Sequence, residues 1–196
     1  MSSGLLLLHA WWGLNDDVRA RAEALRREGY TVAAPDLFGG KVASTIEQAE
    51  QLSASFEKDE AEITRKVEEA IRDLGAKADR IGIVSWSFGN WYSWKAGVAH
   101  RDTVRAVVPF YGLAVGDTAK PLPPLLSHYA ELDTFEDLAA TRKTERELRA
   151  AGTDVRLEVY PGTKHWFDEP SRPEYEKAAS ALAWERTRAF LKERLG

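Results

Sequence analysis

Short apolar runs alternate with segments of helical period along nearly the whole chain, and this alternation leaves few folds open. Leu5–His9, Tyr30–Ala34, Ile81–Ser85, Val104–Phe110, Leu125–His128 and Val155–Tyr160 read as buried strands. Helices are expected over Asp16–Glu28, Thr45–Phe56, Asp59–Leu74, Phe88–Ala99, Thr134–Ala151 and Glu174–Leu195. The first has Asn15 or Asp16 as cap and Gly29 as stop. In the third, Ile63, Val67, Ala70, Ile71 and Leu74 share one face. Strands and helices in alternation imply the α/β class, with a mostly parallel sheet of about six strands and helices on both faces. Right-handed crossovers constrain the topology. A strand order of 2-1-3-4-5-6 would place the switch point between strands one and three, and ligands bind such sheets beyond the carboxyl ends of the strands there.

The 196 residues fit one domain spanning 1–196. A net charge of -4 argues against an electrostatic nucleic-acid surface. No cysteine is present, so disulfides, thiolate metal sites and a thiol nucleophile are excluded. The apolar run Leu5–Leu8 is too short for a membrane span or a signal-peptide core, and a cytoplasmic location is expected.

The third strand runs into Ser85-Trp-Ser-Phe-Gly89, which has the form small-x-Ser-x-Gly ahead of a helix. A tight strand-to-helix turn lifts its central serine above the sheet and demands small residues two positions to either side. Ser87 is therefore the candidate nucleophile, with Ser85 and Gly89 as the small flanks. It falls where the topology alone would put a site.

A serine hydroxyl needs a base, and the base needs an orienting acid. His165 lies in a glycine-containing loop just past strand six, on the rim where the serine is expected. His9 closes strand one, His128 ends strand five and His100 closes a helix. The acid is sought between serine and histidine in the chain. Asp133, just beyond strand five, fits this order and could also cap a helix; Glu131, Glu136 and Asp137 compete with it. Backbone amides of Phe88 and, in the loop after strand one, Trp11 are the expected oxyanion donors.

His9-Ala-Trp-Trp-Gly-Leu-Asn15, Ala34-Pro-Asp-Leu-Phe38, the serine motif, Glu131-Leu-Asp133 and Tyr160-Pro-Gly-Thr-Lys-His165-Trp-Phe together resemble the dienelactone hydrolase family of α/β-hydrolases. The likeness covers nearly the whole chain. It implies a minimal α/β-hydrolase fold without antiparallel N-terminal strands, with Ser87 as nucleophile, Asp133 as acid, His165 as base and no cofactor. Three departures stand out. Serine replaces the cysteine of the founding enzyme type, Ala10 stands where that type carries a glutamate, and Trp166-Phe-Asp-Glu169 follows the histidine where a carboxylate-binding arginine is expected.

These readings lead to a serine esterase acting on small carboxylic esters or lactones, without metal, nucleic-acid or membrane partners; the oligomeric state stays open. A thioesterase or acyltransferase with the same triad is an alternative, as is a non-catalytic small-molecule binder. Trp12, Phe38, Trp86 and Trp166 are expected to line an apolar pocket beside Trp11, while Trp91 and Trp94 are expected in the core. Asp168 and Glu169 are expected near the pocket, repelling anionic substrates.

Overall fold

The computed structural model describes residues 2–113 and 116–196. In chain order its elements are β1 (Ser3–Leu8), α1 (Asp16–Arg27), β2 (Thr31–Ala33), α2 (Ile46–Glu57), α3 (Glu60–Gly75), β3 (Arg80–Trp86), α4 (Phe88–Ala99), β4 (Val104–Phe110), β5 (Leu125–Ala130), α5 (Leu138–Ala150), β6 (Val155–Tyr160) and α6 (Lys177–Leu195). The strands form a six-stranded sheet in the order β2-β1-β3-β4-β5-β6, parallel at every pairing.

Both faces of the sheet are covered, which is why the strands read as nearly continuous apolar runs. The period of two divides each strand between two cores. Leu5 and Leu7 of β1, Val84 and Trp86 of β3 and Phe110 of β4 join α1 and α6 through Val18, Leu25, Trp184 and Phe190. Leu6 and Leu8 of β1 and Ile81 and Ile83 of β3 join α3 and α4 through Ile63, Val67, Ile71, Tyr92 and Ala96. The α3 stripe expected from the sequence is this second contact.

Two helices start later than their residues suggest. Propensity extends α5 back to Thr134, but it begins at Leu138. Asp133 Oδ1 accepts the amides of Phe135 (2.8 Å) and Glu136 (3.0 Å), a local turn that competes with helix, and Asp137 caps α5 instead. α6 begins at Lys177 rather than Glu174, because the Glu176 amide is bonded to the Phe167 carbonyl at 3.0 Å.

Candidate active site

The carboxyl ends of β3, β5 and β6 bring three side chains together. β3 ends at Trp86 and α4 begins at Phe88, so the turn is a single residue, Ser87, with φ 45° and ψ -104°. A non-glycine residue in that region is strained and persists only where its surroundings over-determine it. Here the Ser87 amide donates to the Phe110 carbonyl (3.1 Å), and the Ser87 carbonyl accepts from the Asn90 amide (2.8 Å). Asn90 Nδ2 donates to the same Phe110 carbonyl (2.9 Å), while its Oδ1 accepts from the buried Ser85 hydroxyl (2.8 Å). Gly89 is required by contact: a Cβ there would lie 2.5 Å from the Leu8 carbonyl oxygen.

His165 Nε2 lies 3.2 Å from Ser87 Oγ, and His165 Nδ1 lies 2.7 Å from Asp133 Oδ2. The side chains of His165 and Asp133 are 4% and 0% exposed. With Asp133 Oδ1 occupied by two backbone amides, its Oδ2 is the oxygen left for the imidazole. The Nδ1–H of His165 therefore donates to Asp133, and Nε2 presents a lone pair to the serine hydroxyl. The imidazole is gripped between rings, with Tyr111 at 4.7 Å, Phe135 at 5.1 Å and Trp166 at 5.3 Å between centroids. Tyr111 and Trp166 both hold positive φ, at 66° and 72°.

The other histidines serve elsewhere. His9 is buried between the Ala10 carbonyl (2.7 Å) and the Leu37 amide (3.1 Å), and burial lowers its pKa to about 4. His128 is bonded to the Tyr160 hydroxyl and to Thr187 Oγ1, each at 2.8 Å, and burial lowers it to about 3. Both are neutral ties inside the fold near pH 7. His100 pairs with Glu68 at 2.6 Å on the far end of α4. Among the competing acids, Glu131 Oε2 accepts the Gly162 amide at 2.8 Å and steadies the loop that carries His165. Asp137 caps α5, and Glu136 faces the cavity.

That cavity, about 460 Å³, is lined by Trp11, Ser53, Glu60, Ser87, Phe88, Trp91, Tyr92 and Glu136. The rings expected to line it are placed differently. Trp86 belongs to the α1/α6 side of the sheet, stacked on Phe110 at 5.6 Å, because adjacent strand residues point to opposite faces. Phe38 is fully buried behind Phe88, 5.1 Å away. Trp12 and Trp166 are buried behind Trp11, with the Arg172 guanidinium over both rings at 4.0 and 5.2 Å. Trp91, expected in the core, is 39% exposed and lines the cavity.

Asp168 and Glu169 also differ from expectation. Both are buried, and neither lines the cavity beside Ser87. Asp168 accepts from the indoles of Trp86 (3.0 Å) and Trp184 (2.9 Å), from Ser180 Oγ (2.6 Å) and from Arg21 (3.2 Å). It ties the loop after His165 to β3, α1 and α6. Burial raises its pKa despite these donors, and burial raises that of Glu169 further. Asp168→Ala would strand two indole N–H groups and the Arg21 charge. It is expected to cost about 3–5 kcal/mol of stability, read as a lowered urea midpoint. An unchanged midpoint would show that the network carries no net stability.

The parallel sheet with helices on both faces is an α/β-hydrolase fold. The chain belongs to the dienelactone hydrolase family, which it matches over residues 2–195, and it is a hydrolase. It is 29% identical to an Azospirillum brasilense protein provisionally named a carboxymethylenebutenolidase, over 98% of this chain and 88% of that one. It is 26% identical to the protein usf of Aquifex pyrophilus, again over 98% and 88%. Among solved structures, a Klebsiella pneumoniae protein provisionally described as a dienelactone hydrolase superposes with a TM-score of 0.77 at 22% identity, covering 96% of this chain and 85% of that one. A metagenomic dienelactone hydrolase-like promiscuous phosphotriesterase superposes with a TM-score of 0.83 at 19% identity, covering 100% and 87%. Among the described residues no helix is long and apolar enough to cross a membrane.

Proposed function

We propose that the protein hydrolyses small carboxylic esters or lactones through Ser87, His165 and Asp133, by way of an acyl-enzyme. The observation that carries this reading is the continuous chain Asp133 Oδ2, His165 Nδ1, His165 Nε2, Ser87 Oγ, at 2.7 and 3.2 Å. Neutral His165 takes the serine proton at Nε2 as Oγ forms a bond to the ester carbonyl carbon. The imidazolium so formed is held by Asp133. The carbonyl oxygen becomes an oxyanion, bound by the amides of Phe88 and Trp11. Phe88 is the first residue of α4, so its amide has no acceptor within the helix and stands at the positive end of the helix dipole. The tetrahedral intermediate collapses with breakage of the carbon–oxygen ester bond. His165 returns its proton to the leaving alkoxide, or to the tethered one of a lactone. Water, deprotonated by His165, attacks the acyl-enzyme carbonyl, and the proton passes to Ser87 as the carboxylate departs.

A thioester could follow the same steps with a thiolate leaving group. Comparing kcat/KM for an oxygen ester and a thioester with the same acyl chain separates the two. A pure binder would have no use for an aligned base and acid. A fluorophosphonate probe separates that reading, since only an activated serine reacts rapidly. Ser87 is the expected labelled residue in peptide mapping, and an unlabelled protein would overturn the mechanism. Asp133→Asn is expected to cut both labelling and turnover by up to roughly 10⁴-fold, because an amide in place of Oδ2 reverses the imidazole tautomer. An Asp133→Asn enzyme with near wild-type turnover would remove Asp133 from the reaction and leave it as a turn cap.

A further inference from the structure

The charges around the catalytic cavity are unbalanced. Two carboxylates line it, Glu60 and Glu136, and no lysine, arginine or histidine is among the described residues lining it. Glu60 is already neutralised at the rim. Its Oε1 accepts from Lys95 Nζ and from the Trp91 indole, each at 2.9 Å. Among the described residues Glu136 has no such partner, and the charge acting on it is the like charge of Asp133. Its backbone is fixed beside the triad, since its amide donates to Asp133 Oδ1 and its carbonyl accepts the Tyr129 hydroxyl. Its carboxyl lies over Gly112, where a Cβ would come within 3.1 Å of Glu136 Cδ. Apart from Ser53 and Ser87, the rest of the described lining is aromatic: Trp11, Phe88, Trp91 and Tyr92. Aromatic faces attract cations and have no comparable affinity for anions.

We propose that the ester substrate carries a positively charged alkylammonium group, held by Glu136 and the aromatic wall while its carbonyl lies at Ser87. The assignment rests on the ester-hydrolase reading and names its substrate class. It also explains how this site does without a carboxylate-binding arginine after His165: the group to be recognised bears the opposite charge. Burial, and then Asp133, push the Glu136 carboxyl up to about 7, so a cation would complete a site that is only partly ionised when empty.

The test compares butyrylcholine with its carbon isostere, 3,3-dimethylbutyl butyrate, each rate being divided by that ester's hydroxide-catalysed rate to remove leaving-group reactivity. At about pH 8 the normalised kcat/KM is expected to favour the cation by roughly tenfold or more. Glu136→Gln should lower the ratio severalfold, leaving the share due to the aromatic wall, and Trp91→Leu, a change at the exposed rim, should lower it with Glu136 intact. At about pH 6 the wild-type ratio should also fall, as Glu136 takes up a proton. Asp133 and Tyr129 lie beside Glu136, and Tyr92 and Glu60, the latter paired with Lys95, line the same cavity; any pH effect on the chemical steps the two esters share affects both alike and divides out. A wild-type ratio near one, or a ratio unchanged by Glu136→Gln and by pH, would overturn the proposal. Failure of wild-type enzyme to hydrolyse either ester would instead strike the ester-hydrolase reading itself.

Discussion

Ser87→Ala is expected to lower kcat on a small activated ester by on the order of 10⁶-fold and to abolish fluorophosphonate labelling, with the fold unchanged. In the proposed mechanism Ser87 Oγ is the hydroxyl bonded to the His165 imidazole. Ser85 is fully buried and directed to Asn90, and the next polar groups in the cavity are carboxylates, the Tyr92 phenol and the Ser53 hydroxyl. Stability should barely move, because among the described residues the Ser87 side chain bonds to His165 alone, while the turn is held by backbone bonds to Phe110 and Asn90. Alanine keeps those bonds and the same strained φ. Circular dichroism and a urea midpoint within experimental error of wild type are the controls. A variant that keeps more than about one part in a hundred of the activity would mean that another group attacks the ester.

His165→Ala is expected to cost a similar 10⁶-fold in kcat, on the order seen when one member of a cooperating nucleophile–base pair is removed. The two losses should not add. A Ser87→Ala, His165→Ala double variant is expected to be no slower than the worse single variant, since both remove the same activated alkoxide. His165→Ala differs from Ser87→Ala in stability. It empties the space between the rings of Tyr111, Phe135 and Trp166, and it leaves Asp133 Oδ2 buried without its donor. A further penalty of about 1–3 kcal/mol is expected from the stranded carboxylate alone. Near wild-type turnover in His165→Ala would send the search for a base elsewhere. It could not end at His128, which is enclosed between Tyr160 and Thr187.

Much of this architecture is legible in the chain. The alternation of elements implies a parallel sheet, and the strand order 2-1-3-4-5-6 considered for it is the one the sheet has. Ser87, Asp133 and His165 stand out because each lies just past a strand's carboxyl end, and these three do meet in space. The cavity wall was harder to read. Trp86 is next to Ser87 in sequence, but a sheet buried on both faces gives no sign of which face a given apolar residue takes. Adjacency misleads there, since neighbouring strand residues diverge. The signal for Trp91 was present: it lies four residues beyond Ser87 in a helix, so it returns to the side of the serine one turn later. The partners of Asp168, Trp86, Trp184 and Arg21, come from distant elements across the fold. No local pattern announces such long-range hydrogen bonds, and an acidic pair after a histidine looks the same in sequence whether it meets solvent, substrate or indoles.

The backbone bonds to Asp133 have a consequence in time. An aspartate in a loop would ordinarily sample several rotamers, and each would have to be set aside before the imidazole could be aligned. Here the amides of Phe135 and Glu136 hold one oxygen, so the other is already aimed at His165 when a substrate arrives. In the proposed mechanism the entropy of ordering the acid is lost once, as the chain folds, and not again in each catalytic cycle. Precision at the reacting atoms is thereby drawn from the same free energy that keeps β5 and α5 in place. Loosening of that segment would first be seen as slower chemistry, well before the molecule unfolds.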